Sequence, residues 1–200
     1  MYLIVIFIVA YLLGAINPAI LLSKKVLGTD IRDLGSGNAG TTNIFRVMGL
    51  PMAILVFVLD LVKVVLAYGV SMLLCKIFSQ NITETLSTFA VGVLIGHCYP
   101  AYYGFKGGKG VATMIMALLL IDYKIAGICI TAGIVLLLVT QTVSKASIGG
   151  AILLPILMLF LHPEFFLVSL FISLFIIFKH RANIKRIIDG TESKTFGNKD

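Results

Sequence analysis

Long apolar stretches dominate this chain and leave few folds open to it. Residues 2–23, 51–76 and 124–143 are each long enough to cross a bilayer, whose hydrocarbon core of about 30 Å takes about 20 helical residues. Hydrophobic residues make up 59% of the sequence and charged residues 12%, against about 45–50% and about 25% in soluble domains. A soluble fold of this length cannot bury so much apolar surface in one core. The sequence therefore predicts an all-α integral membrane protein.

Shorter apolar stretches raise the number of predicted transmembrane helices to seven. The predicted spans are 2–23, 51–76, 86–99, 111–121, 124–143, 148–161 and 164–179. Two of them, 111–121 and 148–161, are short for a span and are alternatively re-entrant segments, so a five-span arrangement stays open. We expect a single polytopic domain over residues 1–200, because the length leaves no room for a separate soluble module.

The cationic residues predict how the spans are oriented. With the N-terminus outside and the C-terminus in the cytoplasm, 13 of the 16 lysines and arginines fall in cytoplasmic connections or at their edge. The external loops hold only Lys76 and Lys124, and Lys63 lies within a span. Cytoplasmic loops of membrane proteins are enriched in Lys and Arg. The net charge of +7 therefore reflects topology, and nucleic acid is not an expected partner.

The first polar cluster occupies residues 35–46, in the connection after the first span. It combines three glycines, five hydroxyl or amide side chains and one arginine. Glycines let backbone N–H groups approach an anion, and hydroxyls and amides add uncharged donors. An arginine offers a bidentate fork that suits phosphate. The cluster predicts an anion-binding loop with the candidate residues Ser36, Asn38, Gly40, Thr41, Thr42, Asn43 and Arg46.

The glycines at 35–40 also match the dinucleotide fingerprint Gly-x-Gly-x-x-Gly, but nucleotide binding is rejected. That fingerprint requires a preceding buried strand, whereas residues 29–33 are mainly polar. Asp60, at the distance of the fingerprint's acidic residue, instead lies inside a predicted span with Lys63 on the same helical face. Such an intramembrane pair either neutralises itself as a structural pair or supports a site, and both interpretations stay open.

The second polar cluster lies at residues 96–113. Four glycines between 104 and 110 stand beside Lys106 and Lys109 and lead into the apolar stretch 111–121. A glycine-rich turn at a helix N-terminus offers N–H groups to an anion. A Walker A loop is excluded, because it needs Gly at 103 and Ser or Thr at 110, where the chain has Tyr103 and Gly110. The cluster therefore predicts phosphate binding without nucleotide hydrolysis, and the preceding His97 is either a packed or a catalytic histidine.

A third cluster opens with Ser144 and Ser147 and continues into an apolar stretch. Ser144 alone has the ordinary interpretation of a helix N-cap.

The fourth cluster lies in the basic C-terminal segment. His180, Asn183 and Arg186 are spaced to share one helical face, which is more selective than random basicity. Arg181 and Lys185 fit the ordinary role of lipid headgroup anchors.

Together the four clusters resemble the motifs of the bacterial acyl-phosphate:glycerol-3-phosphate acyltransferases, the PlsY family. The first block is Gly35-Ser36-x-Asn38-x-Gly40-x-Thr42-Asn43-x-x-Arg46. The second comprises Gly96-His97-x-x-Pro100 and Phe105-x-Gly107-Gly108-Lys109-Gly110-Val111-Ala112-Thr113. The later blocks are Ser144-x-x-Ser147 and His180-x-x-Asn183-Ile184-x-Arg186 with Gly190-x-Glu192. The matches run in order and cover nearly the whole chain.

The resemblance implies transfer of a fatty acyl group from acyl phosphate to the 1-hydroxyl of glycerol 3-phosphate, the first step of bacterial phospholipid synthesis. The products are 1-acylglycerol 3-phosphate (lysophosphatidic acid) and phosphate. It also implies a seven-helix multi-pass protein of the bacterial cytoplasmic (inner) membrane, with its active site facing the cytoplasm. The expected partners are the two substrates and membrane lipids, and a monomer is expected.

Residue roles follow from the same resemblance. Arg46 and Lys109 would clamp glycerol 3-phosphate, with Ser147, His180 and Asn183 completing its pocket. The residues expected to cradle acyl phosphate are Ser36, Asn38, Gly40, Thr41, Thr42, Asn43, Gly107, Gly108 and Gly110. The supporting candidates are His97, Ser144, Arg186 and Glu192.

The expected chemistry needs no protein base. The His-x4-Asp pair of other glycerolipid acyltransferases is absent from the sequence, and no carboxylate is evident that would orient a histidine. The resemblance therefore favours substrate-assisted catalysis, in which the donor's own phosphate accepts the hydroxyl proton. No cofactor and no metal are expected. The rival hypothesis is a small transporter of phosphorylated metabolites, although transporters favour repeats and midplane sites, whereas these clusters lie at one face.

Overall fold

A computed structural model describes residues 1–194, which form ten α-helices and three short 3-10 turns, with no strand in that range. The helices are α1 (Tyr2–Gly14), α2 (Pro18–Leu27), α3 (Thr41–Met48), α4 (Leu50–Ile77), α5 (Ile82–Cys98), α6 (Val111–Ile121), α7 (Tyr123–Thr140), α8 (Val143–Leu161), α9 (Phe166–Lys179) and α10 (Arg181–Ile188). The all-α prediction is confirmed. Lys199, one of the cations counted above, lies outside the described residues.

Four helical segments are long and apolar enough to cross a membrane. They are Tyr2–Leu27, Leu50–Ile77, Tyr123–Thr140 and Val143–Leu161, and a fifth arises if the bent pair Pro163–Lys179 and Arg181–Ile188 is one span. The helix that contains the predicted stretch 148–161 is longer than expected. It begins at Val143, so the polar residues before the apolar run form its first turn. By contrast, α6 keeps its short predicted length of 11 residues.

The chain divides into two compact units, the first from Met1 to Ile121 and the second from Asp122 onward. In the first unit α5 packs closely against α1, and glycines make the approach possible. An added Cβ at Gly96 would overlap the carbonyl oxygen of Tyr11, and one at Gly14 would overlap backbone atoms of Val93. Gly92 and Gly96 form the small-x-x-x-small spacing that lets membrane helices approach backbone to backbone. The apolar stretch between them is therefore buried in protein.

The predicted first span 2–23 is interrupted between α1 and α2. Asn17 caps α2, since its side-chain oxygen accepts the N–H of Ile20, and Pro18 starts the helix with a fixed φ. The amide group of Asn17, which is 1% exposed, also donates to the carbonyl of Ala39 at 3.2 Å. The interruption thereby fastens the loop at residues 35–40, which the sequence predicts to bind anions.

In the second unit α8 packs between α7 and α9. The chain bends by 59° between the α9 segment and α10, and His180 stands at the bend. The sequence changes character at this bend. The apolar run ends at Phe178, and the basic segment that follows is amphipathic. The helix α10 therefore presents a polar face that carries Asn183 and Arg186.

Candidate active site

The first loop, residues 35–40, leads into the N-terminus of α3 and is built around Asn43. The Asn43 side-chain oxygen accepts the N–H of Ser36 at 2.8 Å, and its amide group donates to the carbonyls of Ile31 and Leu34. Gly35 has a φ of +57° and lies so close to Asn43 that an added Cβ would overlap it. Asn43 is 1% exposed. The side chain predicted to touch a substrate thus shapes the loop from within.

The rest of the first loop surrounds this asparagine. Ser36 is exposed, Asn38 is half-buried, and Gly40 precedes the first turn of α3. Thr41 and Thr42 form that first turn, whose N–H groups have no partner within the helix. The Thr41 hydroxyl is buried with no hydrogen-bond partner among the described residues. A helix N-terminus with a buried hydroxyl beside it is suited to an anionic group.

An arginine that sequence reasoning passed over ties this region to the next loop. Arg32 donates to the carbonyls of Tyr103 and Lys106 at 2.7 and 2.9 Å, while Asp30 holds its guanidinium through two oxygens. The Arg32 hydrogen bond keeps the pKa of the Asp30 carboxyl well below its usual value, although burial opposes this. The signal for this role in the sequence is the Asp30-x-Arg32 pair within the mainly polar residues 29–33.

The second loop, residues 104–110, runs back along the end of α5 before α6 begins. Gly107 donates its N–H to the carbonyl of Cys98 and Gly108 donates to that of His97, both at 3.2 Å. An added Cβ at Gly108 would overlap His97 Nε2, and one at Gly110 would overlap Leu94. The expectation that Gly107 and Gly108 cradle a phosphate with these N–H groups needs correction, because α5 carbonyls already accept them. The glycines allow the close approach of the loop.

A buried cluster of charged and polar groups lies beneath the second loop. Lys63 Nζ is 2.7 Å from Asp60 Oδ1 and 2.9 Å from His97 Nδ1, and it donates to the carbonyl of Ile16 at 2.7 Å. The three side chains are each at most 5% exposed.

The expected helical pairing of Asp60 with Lys63 is confirmed. The expectation that no carboxylate accompanies a histidine is wrong, because Asp60 Oδ1 is 3.5 Å from His97 Nδ1 and Asp122 Oδ2 is 2.9 Å from His162 Nε2. Each contact joins two residues more than thirty positions apart in the sequence.

The two predicted phosphate clamps occupy different positions around these loops. Arg46 lies on the exposed side of the last turn of α3, and Lys109 is half-buried just before α6. Lys106, in the same loop, is exposed.

In the second unit one carboxylate gathers three of the predicted residues. Glu192 Oε1 accepts hydrogen bonds from Ser144 at 2.8 Å and Asn183 at 2.6 Å, and Oε2 accepts one from Arg186 Nε at 2.6 Å. Burial would raise the pKa of Glu192, but these hydrogen bonds outweigh it and hold the pKa below the ordinary value. Ser144 is not the helix cap, because α8 begins one residue earlier with Thr142 as its N-cap. Glu192 therefore ties α8 to α10.

The other two predicted residues of this unit flank that cluster. His180 is 3% exposed, and its Nδ1 lies 2.8 Å from the carbonyl oxygen of Ile176, which requires the proton on Nδ1. The Ser147 hydroxyl donates to the carbonyl of Val143 and keeps its oxygen as an acceptor. Across residues 1–194 no group of His, Cys, Asp and Glu side chains is arranged to hold a metal ion.

Comparison with known proteins defines the class of enzyme. Residues 4–190 match the sequence model of the family described as Glycerol-3-phosphate acyltransferase. The glycerol-3-phosphate acyltransferase of Clostridioides difficile (strain 630) is 38% identical over 96% of this chain and 94% of its own length. That of Lactiplantibacillus plantarum is 40% identical over 96% and 92%. The protein is therefore an acyltransferase.

Solved structures agree with the sequence relatives. The crystal structure of PlsY (YgiH), an integral membrane glycerol 3-phosphate acyltransferase, in its glycerol 3-phosphate form, is 31% identical, with a TM-score of 0.86 over 98% of this chain and 96% of that one. Its lysophosphatidic acid form gives a TM-score of 0.83 at 30% identity over 98% and 95%. The chain belongs to the glycerol-3-phosphate acyltransferase family, as the motifs predicted, and is an integral membrane protein.

Proposed function

We propose that this enzyme transfers a fatty acyl group from acyl phosphate to the 1-hydroxyl of glycerol 3-phosphate. The products are lysophosphatidic acid and phosphate, and the reaction is the first step of bacterial phospholipid synthesis. The observation that carries the proposal is the pair of glycine-rich loops, each of which ends at a helix N-terminus. Lys109 lies two residues before α6, and Arg46 lies in the last turn of α3. The related PlsY structures hold glycerol 3-phosphate or lysophosphatidic acid.

We assign the following roles to candidate residues. Arg46 and Lys109 bind the phosphate of glycerol 3-phosphate as charged donors. The first turns of α3 and α6 offer N–H groups to acyl phosphate, and the exposed Ser36 and the buried Thr41 hydroxyl add side-chain donors. In the second unit Ser147, His180 and Asn183 are proposed ligands of glycerol 3-phosphate. Glu192 holds Asn183 and links it to Ser144 and Arg186.

The proposed chemistry is substrate-assisted. The 1-hydroxyl oxygen attacks the acyl carbonyl carbon, the bond from that carbon to the phosphate oxygen breaks, and the leaving phosphate takes the hydroxyl proton. His180 contributes by positioning, since its Nδ1 proton is held by the neutral carbonyl of Ile176, whereas a base histidine is normally backed by a carboxylate. The protein then lowers the barrier mainly by orienting the substrates and stabilising charge.

The proposed topology has seven spans, the N-terminus outside and the site at the cytoplasmic face of the bacterial inner membrane, within a monomer that is one domain over residues 1–200. The helix α5, with 17 residues, covers about 25 Å and α6, with 11, about 16 Å at 1.5 Å per residue. A short α6 is compatible with spanning because the loop before it packs on α5, and irregular backbone is tolerated at membrane depth where protein buries it. The distribution of cations supports the orientation.

The direct test is acyl transfer by the purified protein with labelled donor. We expect labelled lysophosphatidic acid from acyl phosphate and glycerol 3-phosphate, and negligible product when acyl-CoA replaces acyl phosphate. Robust turnover with acyl-CoA alone would refute the proposed donor. Phosphate flux into liposomes without acyl transfer would instead support a transporter.

Two variants and a matched control test the clamp in the same assay. Arg46→Ala and Lys109→Ala should each lose activity by about tenfold to hundredfold, chiefly through KM for glycerol 3-phosphate, because a charged hydrogen bond is worth about 1.5–3 kcal/mol. Lys106→Ala, on an exposed lysine of the same loop, should stay near the parent enzyme. If Lys106→Ala and Lys109→Ala lost activity equally, the effect would come from the general positive charge of the loop and not from a clamp on the phosphate.

A further inference from the structure

Lys63 is a buried ammonium with three close polar neighbours. It faces Asp60 Oδ1 at 2.7 Å, the Ile16 carbonyl at 2.7 Å and His97 Nδ1 at 2.9 Å. The ion pair within α4 leaves the cluster electrically neutral, which a membrane interior requires of buried charges. The carbonyl of Ile16 belongs to the interruption between α1 and α2, so Lys63 also links α4 to that interruption.

This arrangement determines which nitrogen of His97 carries the proton. An ammonium has no lone pair and can only donate, so His97 Nδ1 accepts from Lys63. A neutral imidazole with an accepting Nδ1 carries its proton on Nε2. Asp60 is closer to Lys63, at 2.7 Å, than to His97 Nδ1, at 3.5 Å, so the charge pair is Asp60 with Lys63, and His97 stays neutral.

The protonated side of the His97 ring faces the place where the two loops meet. A Cβ added to Gly108 would overlap His97 Nε2 and crowd the carbonyl oxygen of Ala39, which belongs to the first loop. That same carbonyl accepts the Asn17 amide, and the carbonyl of His97 accepts the Gly108 N–H. His97 therefore contacts the second loop through both its backbone and its ring, beside the first loop.

We propose that Asp60 and Lys63 hold His97 in its Nε2–H tautomer, and that His97 thereby acts as a positioning residue for the junction of the first and second loops. One part of the inference rests on the proposed function, namely that this junction sets the geometry of the site proposed to bind acyl phosphate. Asp60 and Lys63 act through His97 and do not touch the reacting atoms.

The tautomer is tested by nitrogen NMR on the full chain in detergent micelles at pH 7, with histidine labelled on both ring nitrogens. The chain has three histidines, and single His→Gln variants assign them. We expect His97 to show an unprotonated Nδ1 and a protonated Nε2, and the double variant Asp60→Asn/Lys63→Met to lose this fixed pattern. A protonated Nδ1, or two protonated nitrogens, in the parent protein would overturn the assignment whether or not the enzyme uses acyl phosphate.

The positioning role is tested by steady-state kinetics with the same variants. The double variant removes both charges at once, so it leaves no uncompensated buried ion, and His97→Leu removes the donor. Each should raise KM for acyl phosphate by about tenfold, the value of one hydrogen bond, with kcat within about threefold. His97→Gln keeps an N–H donor near the position of Nε2 and should recover most of that loss.

A control variant on α4 separates the positioning role from a general effect of removing a buried polar group. Ser71→Ala, on the same helix, removes a buried hydroxyl that bonds only within α4 in the contacts described, to Ala67, and should leave KM unchanged. A correctly folded double variant with the parent KM, judged by its thermal unfolding, would overturn the positioning role. A folded His97→Gln whose kcat falls by about 10²–10⁴-fold at saturating substrates would overturn it in favour of a general base. A parent enzyme inactive with acyl phosphate would refute the proposed donor, and with it the substrate part of this inference, while the tautomer result stands separately.

Discussion

Glu192 illustrates how one side chain organises the polar face of the second unit. Its carboxylate accepts hydrogen bonds from α8 through Ser144 and from α10 through Asn183 and Arg186. The ionised form accepts all three bonds without a proton of its own, and its charge strengthens each of them. The glutamate is therefore a structural link whose charge matters, and it holds Asn183 in one orientation.

Glu192→Gln should lower the free energy of unfolding by about 1–2 kcal/mol at pH 7. A glutamine amide would turn an N–H group toward one of three donors, and a lost charged hydrogen bond costs about 1.5–3 kcal/mol, reduced here because Arg186 is partly exposed. The pKa of Glu192 is lowered from 4.5 in the folded protein, so its contribution is complete above that pH and is lost as the pH falls below it. Thermal unfolding in detergent at pH 7 and at pH 4 measures the difference between the two proteins.

The prediction is contradicted if the parent protein and Glu192→Gln differ in stability by the same amount at pH 7 and at pH 4. Asp30 also has a lowered pKa, but it is present in both proteins, so its titration cancels in the comparison.

At the scale of elements, glycines permit the close backbone contact of α1 with α5. Gly96 lies against the backbone of Tyr11, and Gly92 lies against Ala10. Close backbone approach brings many atoms into van der Waals contact, which is what drives helix association where lipid is as apolar as the side chains. The same contact places His97 and the end of α5 beneath the second loop.

Gly96→Ala should destabilise the protein by about 1–3 kcal/mol, the usual cost of overpacking, because its methyl group meets a backbone carbonyl that cannot rotate away. The matched control is Gly69→Ala on α4, where the structure offers open space and the helix should gain about 0.5–1 kcal/mol. Thermal unfolding of both variants in one detergent measures the two effects. Equal melting temperatures would show that α1 and α5 are not held at this separation.

At the scale of the whole molecule, the membrane topology determines which side of the membrane the active site faces. In a cysteine-free background, with Cys75, Cys98 and Cys129 replaced by alanine, single cysteines report the side of each connection. We expect Gln80→Cys and Lys124→Cys to react with an impermeant maleimide in intact cells. Ser36→Cys and Lys145→Cys should react only after permeabilisation. All four positions are exposed in the structure.

Lys124→Cys is the informative position for the five-span alternative. If 111–121 were a re-entrant segment, position 124 would lie on the same side as the second loop and would stay unlabelled in intact cells. Labelling of Ser36→Cys from outside would contradict the whole orientation.

The sequence by itself determined that this is an all-helical membrane protein of the glycerol-3-phosphate acyltransferase family. Apolar length is a local property, and the motif residues keep their order and spacing along the chain, so neither depends on how helices meet. The pairing of Asp60 with Lys63 was also predictable, because one turn of helix brings residues three apart together.

Only the tertiary structure decided what most candidate residues touch. Asn43 was predicted to face a substrate and instead holds the loop, Gly108 gives its N–H to His97, and Arg32 was not singled out at all. The contact of Asp60 and Lys63 with His97 joins residues more than thirty positions apart. Such contacts depend on how α1, α4 and α5 pack, which is set by the close fit of many small and apolar side chains and leaves no local pattern in the sequence.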